Sequence, residues 1–265
     1  MFPVLVTLAV AVFGVVVLAI FATASVLAED EGAHLRRSQQ WQPPLAEGSK
    51  LTDWAKSVAR MIVADELKAP PTGRLPVRLI RQLYQGFGRT LRHIGTFSAG
   101  ERPAPCASEP AATFGVTAVE ALAVAEHIRG NCDDRTRQEI QRQLVENRLQ
   151  LEAVDTTNGC KVKCPLLAAD GICAAFVLRP LHCRTCSSCT MKGGVFHPSQ
   201  SDERLAAELE QGLSTALAAE GLDGQVYEFN SAFEIALGTP RAAECWAKGE
   251  PVFNQCRPIH TGPTS

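Results

Sequence analysis

Cysteine is the residue type best placed to do chemistry in this chain. Six of its ten cysteines, Cys160, Cys164, Cys173, Cys183, Cys186 and Cys189, fall within thirty residues. A thiolate is a soft, anionic donor suited to zinc and to iron–sulfur centres, and ligands two to four residues apart can turn back onto one ion. Cys160-x3-Cys164, Cys183-x2-Cys186 and Cys186-x2-Cys189 have that reach. Two other chemistries fit the same residues. Outside the cytoplasm, an even number of cysteines serves a disulfide framework, here an envelope interaction domain without metal. Cys183-Arg184-Thr185-Cys186 has the spacing of a thiol–disulfide oxidoreductase pair, with Arg184 placed to lower a thiol pKa. Such pairs open a helix after a strand, whereas Pro165, Gly171 and Pro180 give this stretch the look of loops. Cys132, Cys245 and Cys256 are expected as buried small apolar residues. His182 and His197 are candidate nitrogen ligands. The sequence has no Ser–His–acid set, phosphate loop or His–Glu metal-hydrolase motif, so the chain is not expected to be an enzyme of those kinds.

A family resemblance sharpens the metal reading. Cys164-Pro165-Leu166-Leu167, Gly171-Ile172-Cys173 and Arg179-Pro180-Leu181-His182-Cys183-Arg184 stand in order and at close spacing. They resemble the Cys-Pro-(Leu/Phe)-Leu, Gly-x-Cys and Arg-Pro-x-x-Cys-Arg segments of the zinc- or iron-chelating cysteine-cluster (YkgJ-like) proteins. Val116 to Leu122 resembles the helix start that follows the first cysteines of that family. Gly221-Leu222-Asp223-Gly224, Tyr227-Glu228 and Trp246-x2-Gly249-Glu250-x2-Phe253 continue the likeness, which covers residues 100–255 in outline. The resemblance implies a sulfur set of Cys106, Cys164, Cys173 and Cys183. Family members carry Cys-x2-Cys-Cys before the helix start, and here that stretch is Cys106-Ala107-Ser108-Glu109-Pro110. One cysteine stays and the pair is replaced. A Glu109 carboxylate in its place would harden the site, leaving Cys160, Cys186 and Cys189, extra to the shared pattern, as reserve donors. Arg179 and Arg184 would offset thiolate charge. With zinc and four sulfurs the site is structural; an iron–sulfur centre adds electron transfer.

The elements that must position these cysteines can be read from composition and periodicity. At 265 residues, 46% hydrophobic and 20% charged, the chain has the apolar content for one ordinary core. A net charge of -2 gives no excess of basic residues for a polyanion, which argues against nucleic acid as the main partner. Met1 to Ala28 contains no charged side chain and is long enough as a helix to cross a hydrocarbon layer of about 30 Å. It lacks the basic start of a signal peptide, although Val26-Leu27-Ala28 would suit a cleavage site. A single-pass anchor at residues 1–28 is expected, with Arg36 and Arg37 keeping the C-terminal side in the cytoplasm. Residues 29–50 read as a linker, 51–98 as a helical segment, 99–258 as the cysteine-cluster metal-binding domain and 259–265 as a tail.

Helical spacing is clear after the linker. One helix is expected from about Thr52 as N-cap through Trp54, Val58, Met61 and Ile62. Between Leu75 and Phe97, Val77, Ile80, Leu83, Tyr84, Phe87, Leu91 and Ile94 form an apolar stripe, with Arg78, Arg81, Arg89 and Arg92 mostly off it. This is either a helix of the domain with a solvated arginine face or a basic helix lying on anionic lipid. Thr117 and Glu120 form a capping box for a helix ending near Gly130, and Asp133 or Asp134 starts the next, carrying Ile140, Leu144 and Leu151. Ser201 to Gly221 carries Leu205, Leu209, Leu213 and Leu217 and ends on a glycine. Ser231 to Leu237 is a short helix, with Ser231 and Glu234 as its box. No long stretch alternates with period two, so the expected fold is mostly α: a single helical domain with an irregular cysteine-rich region, preceded by one transmembrane helix.

Overall fold

The computed structural model describes residues 49–68, 73–93, 111–112, 114–153, 161–168, 172–186 and 200–256. The expected membrane span, its orientation and residues 29–48 of the expected linker lie outside them, while Ser49 and Lys50, assigned to the linker, are helical. Among the described residues, no helix is long and apolar enough to cross a membrane.

In chain order the helices are α1 (Ser49–Glu66), α2 (Leu75–His93), α3 (Ala118–Asn131), α4 (Asp134–Ala153), α5 (Leu181–Cys186), α6 (Gln200–Ala219), α7 (Phe229–Gly238) and α8 (Ala242–Ala247), with a 3-10 turn at Phe176–Leu178. The strands are short: β1 (Ala111–Ala112), β2 (Gly115–Thr117), β3 (Lys161–Val162) and β4 (Val226–Glu228). The described part is therefore mostly helical, as expected.

Helix α3 forms the centre. Ala118, Ala121, Ala123 and Ala125 are fully buried along with Val119, Leu122, Val124 and Ile128. A helix apolar on all sides belongs inside, and its alanines let neighbouring axes come close. Helices α2 and α7 pack on it, and α8 adds a smaller contact. Its start matches expectation: Glu120 N donates to Thr117 Oγ1 at 3.4 Å, and Thr117 N donates back to Glu120 Oε2 at 3.0 Å.

Strands β2 and β4 were not legible as period-two runs, each being only three residues long. They pair antiparallel, with Gly115 opposite Glu228, Val116 opposite Tyr227 and Thr117 opposite Val226. Each strand runs directly into a helix, so their pairing sets α3 and α7 off side by side. A Cβ on Gly115 would lie 2.6 Å from Val226 Cγ1, so the strands approach closely only because that residue is glycine.

The start of α4 is as expected, with Asp133 as its cap: its Oδ1 accepts from Thr136 N at 2.8 Å. Two helix starts differ from the sequence reading. Thr52 is inside α1, which begins at Ser49. Helix α7 begins at Phe229 and is capped by Glu228, which accepts from Asn230 N and Ser231 N at 2.9 and 2.7 Å. Ser231 lies within the helix and donates its hydroxyl to Glu228. A longer carboxylate three residues upstream of Ser231 reaches the open N–H groups and displaces the expected Ser231 box.

The apolar stripe of α2 faces protein. Leu75, Leu79, Ile80, Leu83 and Phe87 are buried, Trp54 of α1 lies 5.7 Å from the Phe87 ring, and Arg78 pairs with Glu66 at 2.9 Å. Val77, counted in the stripe from spacing, is only half-buried, and Met61 of α1 is exposed. Helix α1 lies along α6, the most extensive helix pairing among the described residues. Gly212 of α6 makes this possible: a Cβ there would sit 2.9 Å from Ala55 Cβ and 3.0 Å from Lys56 N. Helix α6 ends as expected, with Gly221 at a φ of 75° and Leu222 N bonded to Leu217 O at 3.0 Å.

Candidate metal centre

The cysteine-bearing stretch is built from turns. Leu167 N donates to Cys164 O at 3.3 Å, and Phe176 N donates to Cys173 O at 3.1 Å, so Cys164 and Cys173 each open a tight turn. The two turns lie beside one another, because Leu167 and Cys173 form an antiparallel bridge and Ala174 N donates to Leu166 O at 2.8 Å. Pro165 and Leu166 are buried beneath the first turn, and Ala175 and Leu178 beneath the second. Cys164, Cys173 and Cys183 are all half-buried. Cys183 stands on α5, and the backbone of that helix also carries Cys186 one turn later.

That helix is a correction. The sequence reading found no convincing helix among these cysteines, yet Leu181–Cys186 is helical. Pro180 stands immediately before it, where a proline fixes the entry of the chain at no cost to internal hydrogen bonds.

Fully buried polar side chains of the helical scaffold reach this stretch. Glu120, 1% exposed, accepts from Leu181 N at 2.8 Å and from Tyr84 O–H at 3.0 Å, both on Oε1. Asn147, with no exposed surface, donates to Lys163 O at 2.8 Å and to Asn230 Oδ1 at 2.7 Å, and accepts from Gln143 at 3.0 Å. His127, half-buried on α3, is held below the ordinary histidine pKa by desolvation. An aromatic ladder runs alongside. His182 stacks on Phe114 at 4.9 Å, Phe114 on Phe229 at 4.7 Å, and Phe229 on Phe233 at 5.6 Å. A cleft about the size of one water lies beside Cys164, between Phe114, Pro165, Phe229 and Asn230.

Nothing in the sequence marked a second acidic side chain near Glu120, that of Glu210. Burial and the Glu120 charge push the Glu210 carboxyl of α6 up to about 8. Asn147 carried a signal: it stands in register with Ile140, Gln143 and Leu144 on the buried face of α4, where a polar residue needs a partner.

The other expected residues fall as follows. Cys106, Cys160, Cys189, Glu109 and His197 lie outside the described residues, and of Arg184 and Cys186 only the helical backbone is described. His182 is in the aromatic ladder, and the buried Arg179 places its guanidinium 4.2 Å over the Phe176 ring. Cys256 is buried as expected, which pushes its thiol up to about 12. Cys132 and Cys245 are only half-buried, against expectation, because they sit at the end of α3 and on the outer part of α8. Among the described residues, no three His, Cys, Asp or Glu side chains converge closely enough to hold a metal ion. Comparison with protein-family models, curated proteins and solved structures finds no match to the chain.

Proposed function

We propose that this chain is a cysteine-cluster protein that chelates zinc or an iron–sulfur centre, with Cys164, Cys173 and Cys183 as donors together with Cys106, and with Cys160, Cys186 and Cys189 in reserve. The observation that carries this reading is the pair of cysteine-led turns joined through the Leu167–Cys173 bridge. Turns of this kind leave a half-buried sulfur at the head of a constrained backbone, as a soft metal requires. The donor chemistry fits the group. The described cysteines alone do not complete a site, so the proposal needs at least one sulfur from the remaining cysteines.

In this reading the role of the chain's own residues is to hold sulfur in place. Bound zinc would supply folding energy to a stretch built of turns and short elements, and an iron–sulfur centre would add electron transfer. Membrane attachment through residues 1–28, with the cysteines on the cytoplasmic side where thiols stay reduced, completes the proposal.

Elemental analysis and an absorption spectrum of the full chain, made in the cytoplasm and purified without air, test it. Near-stoichiometric zinc, or iron with sulfide and visible absorption, is the expected result. Protein free of both metals, with few reactive thiols after denaturation, would replace this reading with the disulfide-stapled domain.

A further inference from the structure

We infer that Glu120 and Asn147 are positioning residues for the cysteine cluster; the inference rests on the metal reading above. Asn147 bonds the carbonyl of Lys163, the residue before Cys164. Glu120 accepts from the N–H of Leu181, two residues before Cys183 and at the open start of α5. Both come from the rigid helices α3 and α4, and both grip main chain.

The physical argument turns on what else fixes these turns. Two hydrogen-bonded turns and one bridge set their internal shape, and the pairing of β3 with β1 and the burial of Leu166, Ala175, Leu178 and Leu181 seat the stretch on the scaffold; apolar burial is non-directional, so exact placement falls to directional contacts. Buried polar side chains fix placement well, because a wrong position leaves them unpaired at a cost of about 1–3 kcal/mol. Glu120 is the strongest case. Its Oε2 is already used by Thr117 N and Oγ1, so the capping box leaves Oε1 for α5 and for Tyr84 of α2. Asn147 is oriented in turn by Gln143 and Asn230, which hold its amide toward Lys163.

The test uses the full chain, zinc as the probe and competition against a chromogenic chelator. Glu120→Ala and Asn147→Ala should each weaken zinc binding by roughly 10- to 100-fold, with a changed sulfur-to-metal band in the cobalt-loaded protein. Glu120→Gln should bind within about threefold of wild type, because its amide oxygen can still accept from Leu181. Asp133→Ala loses the cap of α4 without touching Glu120, Asn147 or the cysteine stretch, so it should lower thermal stability and leave affinity within about threefold. Wild-type affinity in both Glu120→Ala and Asn147→Ala would overturn the inference, as would an equal loss in Asp133→Ala. If Glu120→Ala does not fold, Glu120→Asp, too short to reach Leu181, takes its place.

A wild-type chain that takes up no metal sinks the metal reading alone. Positioning is then read from alkylation rates in reduced, chelator-treated protein. Cys164 should react several-fold faster in Asn147→Ala and Cys183 several-fold faster in Glu120→Ala, the other cysteine unchanged in each. Unchanged rates at both would overturn the positioning role itself.

Discussion

The helical scaffold and the cysteine-bearing stretch differ in what is added to apolar packing. Around α3 the contacts are apolar and redundant: Leu122, Phe229, Phe233 and Trp246 are each fully buried, and α3 touches α2, α7 and α8. Between Lys161 and Cys186, Val162, Leu166, Ala175, Leu178 and Leu181 are buried as well, and polar tethers to single backbone groups are added to them. Redundant packing tolerates the loss of one contact and fails gradually, whereas a tether that is one of a kind fails at one residue. A protein that needs both stability and exact sulfur placement gains by separating the two tasks. The join between them is α5, which takes its first hydrogen bond from the scaffold and carries Cys183 on its second residue after that.

The largest blow to the scaffold should come from Trp246→Ala, which opens a cavity in the fully buried part of the fold and should cost about 3–5 kcal/mol in urea unfolding. A loss no greater than that of a surface change would show that α8 is peripheral. Gly212→Ala comes next. The new methyl meets Ala55 and the Lys56 backbone, so α1 and α6 must part, at a cost of about 1–3 kcal/mol. Proton linkage is smaller. The carboxyl of Glu210 titrates near its ordinary value in the unfolded chain and near 8 in the folded one. The folded state thus holds the proton more tightly, its contribution is fully present below about pH 4.5, and it is lost as pH rises toward 8. Glu210→Gln should flatten that decline in a series of melts across pH, and an unchanged slope would count against it.

The smallest global effect, and the sharpest local one, should follow from metal removal. Chelation should speed amide exchange at Leu167, Ala174 and Phe176, whose hydrogen bonds define the turns, while Leu122 and Val124 in α3 stay protected. Faster exchange throughout α3 would mean that the two regions are a single cooperative unit.

Periodicity exposed most of the scaffold, because burying one helix face demands regular spacing. The Leu209, Leu213 and Leu217 stripe, the Thr117–Glu120 box and the closing Gly221 all stand where spacing put them. Helix starts were less legible. The capping of α7 by Glu228 depends on a strand that ends one residue earlier, and that strand exists only because β2, over a hundred residues upstream, pairs with it. The cysteines announced their chemistry by spacing, but their supports are non-local: nothing near Leu181 in sequence points to Glu120, and nothing near Lys163 points to Asn230. The exposed end of α3 shows the same limit. Arg129 reaches Ala236, Leu237 and Thr239 carbonyls at the end of α7, a cap that only the tertiary fold could supply.

The pairing of β2 with β4 has a further consequence for how the protein is made. Residues 115–117 cannot find 226–228 until more than a hundred intervening residues have left the ribosome, and every cysteine from Cys160 to Cys189 lies inside that span. During synthesis the thiols therefore emerge before α7 and α8 close over α3, and closing so long a loop is slow compared with forming a helix. The nascent chain passes through a stage in which its sulfur atoms are out and their scaffold is unfinished, so the reducing power of the compartment and the timing of metal supply act on the chain before its final fold does.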